Sequence, residues 1–259
     1  MSNQRTQETR KKAKSKTTSK SISVSNSAKG RREKMYRLRT EAKQITDLLG
    51  LEEQPIAAKF SAHANRDADS AKKLSICEAL NIVRSENVVL SLSKENCSCF
   101  GGRHFAGLEI ITLKTFAKLL STGGHKVYES PETALSSLRK YPQPVKRGNF
   151  LTLGPLEKFE TDPDVVFLFV NPAEAERMLG LISLEGVEPF MYYPASNICS
   201  TITNVFAKDK PEINLVAAFE RKAGKWSPNE MILAMPLKDF EKAVRSIPRS
   251  GYGTLRTDQ

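Results

Sequence analysis

The 259-residue sequence contains no apolar run long enough to cross a bilayer. A membrane-spanning helix needs about 20 predominantly apolar residues. The N-terminus also lacks the apolar stretch of a secretory signal. Its acid-poor, Ser-containing start invites comparison with an organellar transit peptide, but Lys outnumbers Arg there and no apolar stripe accompanies it. The chain is therefore expected to be soluble and cytoplasmic, without a membrane partner. Recognised catalytic signatures are missing too. There is no Cys-x-x-Cys, His-x-x-x-His pair, phosphate loop, dinucleotide fingerprint or Ser/His/Asp arrangement. No reaction class follows from motif, so enzymatic status stays open. Cysteine is scarce, with four in the chain. Without an export signal these are expected to be free thiols or metal ligands rather than structural disulfides.

What is present is a charge asymmetry. The formal net charge is +11, but residues 1–34 hold eleven Lys and Arg against Glu8 and Glu33, which leaves them at +9. The remaining 225 residues are nearly neutral. Residues 1–34 carry only Met1, Ile22 and Val24 as sizeable apolar side chains. Such a segment cannot bury enough apolar surface to offset about 1–2 kcal/mol of backbone entropy per residue. It is expected to be a disordered basic tail. Its two readings are a weak, salt-sensitive contact with nucleic acid or another polyanion, and a solubilising extension without a dedicated partner. No aromatic is interleaved to stack on bases.

Residues 35–259 are 29 Lys and Arg against 27 acids and read as a single globular domain. Tyr36, Leu38, Ile45, Leu48 and Leu49 recur at helical spacing, with Gly50 as a terminator. Residues 55–60 read as a strand. Ser75 and Glu78 form a capping box before a helix through Arg84. Strands are expected at 88–92 and 150–153, and helices at 115–120 and 131–140, with an irregular connector at 142–148. Cys97 to Gly102 reads as a turn. Val165–Val170 is apolar on both faces and belongs at the centre of a covered sheet. Asn171-Pro172 then opens a helix from about 173 to 182. Asn171 is either a helix cap or a ligand-facing residue at a strand end. A further helix starts near Ser196-Asn197, strands follow at 213–217 and 231–234, and a helix at 236–247 closes the chain. The alternation argues for an α/β or α+β fold, with a mixed, largely covered β-sheet flanked by helices.

The cysteines form the one constellation with chemical content. Cys77 and Cys199 fall in the first turns of helices, where backbone amides and the helix dipole lower a thiol pKa. Cys97 and Cys99 sit in a glycine-rich turn whose Gly101 and Gly102 amides are free to face sulfur or an anion. The four are a candidate metal site, for zinc or an iron–sulfur cluster. Equally, they are four unrelated buried cysteines, since free Cys is among the most buried residue types. A Cys97–Cys99 disulfide would close a small, strained ring. His104 is a candidate ligand or base, or a hydrogen-bonded core residue. His63 and His125 have no visible partner.

Several segments in order resemble domain-of-unknown-function family 169, the uncharacterised ArCR family of archaeal and bacterial proteins. They are Leu49-Gly50-Leu51 with residues 55–60, Cys77-Glu78-Ala79, Cys99-Phe100-Gly101-Gly102 with Gly107-Leu108, residues 165–172 with the helix after them, Cys199, and residues 231–244. The resemblance runs from about residue 41 to 247. It implies that Cys77, Cys99 and Cys199 match the family's three thiols. Phe100 stands where the family usually has Pro, and Cys97 lies outside the usual pattern. The family supplies no reaction. The expectation is a thiolate-ligated metal or iron–sulfur protein with a redox role, Cys97 or His104 filling the fourth position. The alternative is a metal-free module that binds a small anion, or a thiol redox switch.

Overall fold

The computed structural model describes residues 29–65, 68–69, 72–122, 126–140, 142–191 and 198–251. Helix α1 (residues 29–49) leads into strand β1 (Ile56–Ser61), helix α2 (Ile76–Glu86) and strand β2 (Leu90–Ser93). Three helices follow, α3 (Phe100–Phe105), α4 (Leu113–Thr122) and α5 (Pro131–Leu138). The chain continues through β3 (Phe150–Pro155), β4 (Val165–Val170) and α6 (Pro172–Ser183). It ends with α7 (Ile198–Lys208), β5 (Glu212–Asn214), α8 (Ala218–Gly224), β6 (Met231–Met235) and α9 (Leu237–Ser246).

The strands form one sheet in the order β2-β3-β1-β4-β6-β5. The expected helix-flanked α+β sheet is found, but its strand directions are not mixed. Every ladder is antiparallel, and parallel pairing is confined to isolated bridges such as Leu74–Cys97 and Phe190–Glu212.

Side chains alternate across each strand, so the sheet supplies two cores. On the first face Ile56, Ala58, Leu151, Leu153, Phe167, Ile232 and Ala234 pack under α2, α3, α4, α5 and α7. On the second face Ala57, Val166, Leu168, Leu233 and Met235 pack under α1, α6 and α9. The doubly apolar β4 lies inside the sheet for this reason. On the β1-β3-β2 side the second face is approached by Val89 and Phe159 instead of by these helices. There the same face is polar, with Lys59, Thr152 and Ser91 in register across three strands.

Local signals explain most boundaries. Ser75 and Glu78 close the anticipated capping box, and Asn171 closes another with Glu174, so Asn171 is a helix cap. Gly50 ends α1 with φ +75°. Four departures are informative. Helix α1 begins at residue 29 rather than 35, and its Lys34 pairs with Asp162 at 2.6 Å; residues 1–28 lie outside the described residues. The expected turn at Cys97–Gly102 becomes the N-terminus of α3. Strand β5 stops at Asn214 instead of running to 217, because Val216 takes the left-handed conformation, φ +57°. Helix α8 then follows, unannounced. The helix start near Ser196-Asn197 lies outside the described residues, and α7 is described from Ile198.

Gly107 adopts φ +67°, and a Cβ there would collide with the carbonyl of Val145 in the irregular 142–148 connector. Gly186 has a similar φ, +68°, but open space around it. Gly186→Ala should therefore cost about 1 kcal/mol, the conformational penalty alone. Gly107→Ala should cost more, about 2–4 kcal/mol, because the connector must also move. Urea unfolding of the two variants measures the difference; equal losses would show that the Gly107–Val145 approach is not constraining.

Candidate functional site

Three helices begin at one place in the first-face core. Cys77 is the second residue of α2, Cys199 the second residue of α7, and Cys99 is the N-cap of α3. Ser75 caps α2 and orients its first turn, and Thr203 of α7 donates to the Phe105 carbonyl, which ties α7 to α3. The leading segment of α3 is tethered separately, through Leu74 N to Asn96 O at 3.0 Å and Ser98 N to Leu74 O at 2.9 Å.

These restraints bring Cys77, Cys99 and Cys199 into mutual electrostatic reach, with Cys97 beside Cys77 and Cys99. The Cys199 thiol hydrogen-bonds with Cys77 and feels Cys99. Cys97 feels both Cys99 and Cys77. Cys97 Sγ donates to the Cys99 carbonyl at 3.7 Å, and no disulfide joins the pair. Gly102 N donates to Cys99 Sγ at 3.4 Å, and the Gly101 amide also acts on that sulfur. Convergence of residues 77, 99 and 199 is the arrangement that spacing alone left undecided. Among the described residues, however, no three His, Cys, Asp or Glu side chains are already set to hold a metal ion.

The electrostatics reverse one expectation. The helix N-terminus was expected to lower the Cys199 pKa, but the hydrogen bond with Cys77 and then burial outweigh it. Desolvation pushes Cys97 up to about 11 and raises Cys99 despite the two glycine amides. Cys199 is raised well above the ordinary range, first by its hydrogen bond with Cys77 and then by burial. At neutral pH these three are thiols.

Glu220 completes the site and had no motif to announce it. It is buried, its Oε1 accepts from Ile198 N at 2.7 Å, and its Oε2 accepts from Ala217 N at 3.2 Å. It thus caps the helix that carries Cys199 and acts electrostatically on Cys199 and Cys99. No capping signal preceded it, because Ala217 at the N-cap of α8 has no side-chain acceptor.

Among the described residues, neither histidine bonds a cysteine. His104 is buried against Phe105 and Phe116, and its Nδ1 accepts from Ile111 N at 3.3 Å. Burial lowers its pKa to about 4, and no cysteine contributes to that shift. It is a neutral core residue in this arrangement, and its buried Nε2 has no hydrogen-bond partner. His63 lies elsewhere, at a cleft on the opposite sheet face. His125 lies outside the described residues.

Against known proteins, the profile of the domain-of-unknown-function family described as uncharacterised ArCR matches residues 44–246. No curated protein and no solved structure matches the chain.

Two buried acids on either side of α7, Glu220 and Glu212, are pushed up to about 8 by burial from an ordinary 4.5. Both bind their proton more tightly folded than unfolded. Their contribution to stability is therefore fully present below about pH 4.5 and lost as pH rises through about 8. Stability to urea should fall by a few kcal/mol across that window, and Glu212→Gln should flatten the slope. A pH-independent unfolding free energy, or an unaltered slope in the variant, would contradict the assignment.

Proposed function

The chain belongs to domain-of-unknown-function family 169, the uncharacterised ArCR family, and on that premise we propose that it works through its cysteine site, as a thiolate-ligated metal or iron–sulfur protein with a redox role. The observation that carries this reading is the convergence of Cys77, Cys99 and Cys199 from three helices separated by up to 122 positions in the chain. Sulfur donors select zinc or iron–sulfur clusters over hard cations such as magnesium or calcium. The buried thiols hold their protons until a soft cation displaces them. Gly101 and Gly102 direct amides at the Cys99 sulfur, the kind of second contact that tunes a thiolate ligand. Glu220 adds a carboxyl group that, once ionised, favours a cation over an anion at this place. Bound metal would supply redox or Lewis-acid chemistry; the residues supply sulfur, orientation and exclusion of water.

A second reading has its own observation: Cys77 and Cys199 already meet sulfur to sulfur. A peroxide would oxidise one thiolate to a sulfenic acid with release of water or hydroxide. The second sulfur would displace the sulfenic oxygen as another water, which leaves a disulfide.

Anaerobic purification with metal analysis and an absorbance spectrum separates the two. The metal reading expects stoichiometric zinc, or iron with acid-labile sulfide, lost in Cys77→Ser, Cys99→Ser and Cys199→Ser. Metal-free protein that loses two thiols to hydrogen peroxide, with Cys199→Ser resistant, would replace it with the thiol switch. Protein that shows neither leaves the site without either role.

We further propose that the basic N-terminal segment makes the polyanion contact. Residues 1–28 hold seven Lys and Arg against one acid. Their removal, which spares α1, should abolish binding to single-stranded DNA together with its salt dependence. Undiminished binding by the truncated protein would move the contact to the rest of the chain.

A further inference from the structure

The second face of the sheet carries a feature that the cysteine site does not use. Where α1, α6 and α9 end, the β1-β3-β2 side forms the floor of a cleft of about 640 Å³, within the ordinary size range of small-molecule sites. Across the rest of this face the strands present Ala57, Leu168, Val170 and Met235 to the helices. In the cleft they present Lys59 and Thr152, neighbours in register on β1 and β3. Thr152 is 4% exposed, so its hydroxyl lies at the bottom of the cleft rather than on an open sheet face. Ser61 is not free to serve, because its hydroxyl donates to the His63 carbonyl.

The charges around this floor are specific. Lys59 is paired with Asp164 at 3.2 Å. Lys158 lines the cleft and donates to the Asn87 carbonyl, and among the described residues no carboxylate pairs with it. Asp69 and Glu160 also line the cleft. Hydroxyl and ammonium donors therefore collect at the floor and at Lys158, while the two acids oppose a polyanion.

We infer that this cleft is a second site, for a small ligand that carries one oxyanion group, with the hydroxyl of Thr152 and the ammonium of Lys158 as its donors. The ligand class is a phosphorylated or carboxylated small molecule. A nucleic-acid backbone is excluded by the acids. The site stands on the face opposite the thiols and does not depend on their role.

Calorimetric titration with inorganic phosphate and, separately, with acetate tests it and tells the two oxyanions apart. One of them should bind at millimolar concentration. Thr152→Val and Lys158→Met should each weaken that binding about tenfold, and Thr152→Ser, which keeps the hydroxyl, should bind as the parent does. Melting temperatures measured alongside show that the variants are folded. Cys199→Ser should bind unchanged. Failure of both anions to bind, or binding equal in the parent, Thr152→Val and Lys158→Met, would overturn the proposal.

Discussion

Helix α7 is fastened to the sheet edge by polar groups that water does not reach, and the position of the cysteine site follows from that fastening. Asn204 Nδ2 donates to Glu212 Oε1 at 3.2 Å, Asn214 Nδ2 donates to Thr201 Oγ1 at 2.6 Å, and Thr201 in turn bonds Glu212. All four side chains are buried. At the start of the same helix, Glu220 accepts the Ile198 amide. An apolar helix face can slide on an apolar sheet at little cost. A buried network cannot, because each broken bond leaves an unpaired group worth about 1–3 kcal/mol. Register is thereby imposed on α7, and Cys199 is delivered to Cys77.

The same network reaches the one β-branched residue with left-handed backbone among the described residues. Val216 has φ +57°, an outlying conformation for a β-branched side chain. Its amide is held by Asn214 Oδ1 at 2.8 Å, and the next amide, that of Ala217, by Glu220. The strain is thus restrained from both sides by members of the network. It turns the chain sharply from β5 into α8, and α8 places Glu220 beneath α7. Strain, cap and thiol are links of one arrangement. This is the pattern expected where a fold maintains a costly local geometry for a site.

Legibility in the sequence tracked how local the determining physics was. The β4 run, the Ser75–Glu78 box, the Asn171-Pro172 helix entry and the Gly50 stop are interactions within a few residues, and each was readable. Helix α3 was not, because Gly101 and Gly102 argue against a helix by propensity. They are tolerated because Ile76 and Cys97 pack where Gly102 would carry a side chain. Helix α8 was hidden by Val216, which reads as strand and is bent by the hydrogen bond that its amide donates to Asn214. The thiols were visible as residues but not as a group, since the contacts that unite 77, 99 and 199 are made through tertiary packing. Glu220 was invisible for a different reason: glutamate is ordinarily a surface residue, and only a buried helix start gives it a place. The polar row of Lys59, Thr152 and Ser91 looks like ordinary strand alternation until the register sets the three side by side.

The competition between helix ends and burial decides what kind of chemistry the thiols can do. A helix N-terminus is worth up to about 2 kcal/mol to an anion. A rise from 9.0 to about 11, as at Cys97, corresponds to about 3 kcal/mol in the opposite direction. Cys99 has both a helix start and two amides in its favour and is still raised. Neighbouring thiols deepen the effect, because each thiolate formed opposes the next. An isolated nucleophilic cysteine needs the reverse balance, a lowered pKa and access to substrate. A site whose sulfurs oppose one another's ionisation, beside a buried carboxyl, is poor at holding several negative charges alone. It becomes favourable when a cation enters to balance them, or when two sulfurs discharge their protons together by bonding to each other. Both proposed roles are of that kind, and both require the Cys77–Cys199 encounter that the α7 network enforces.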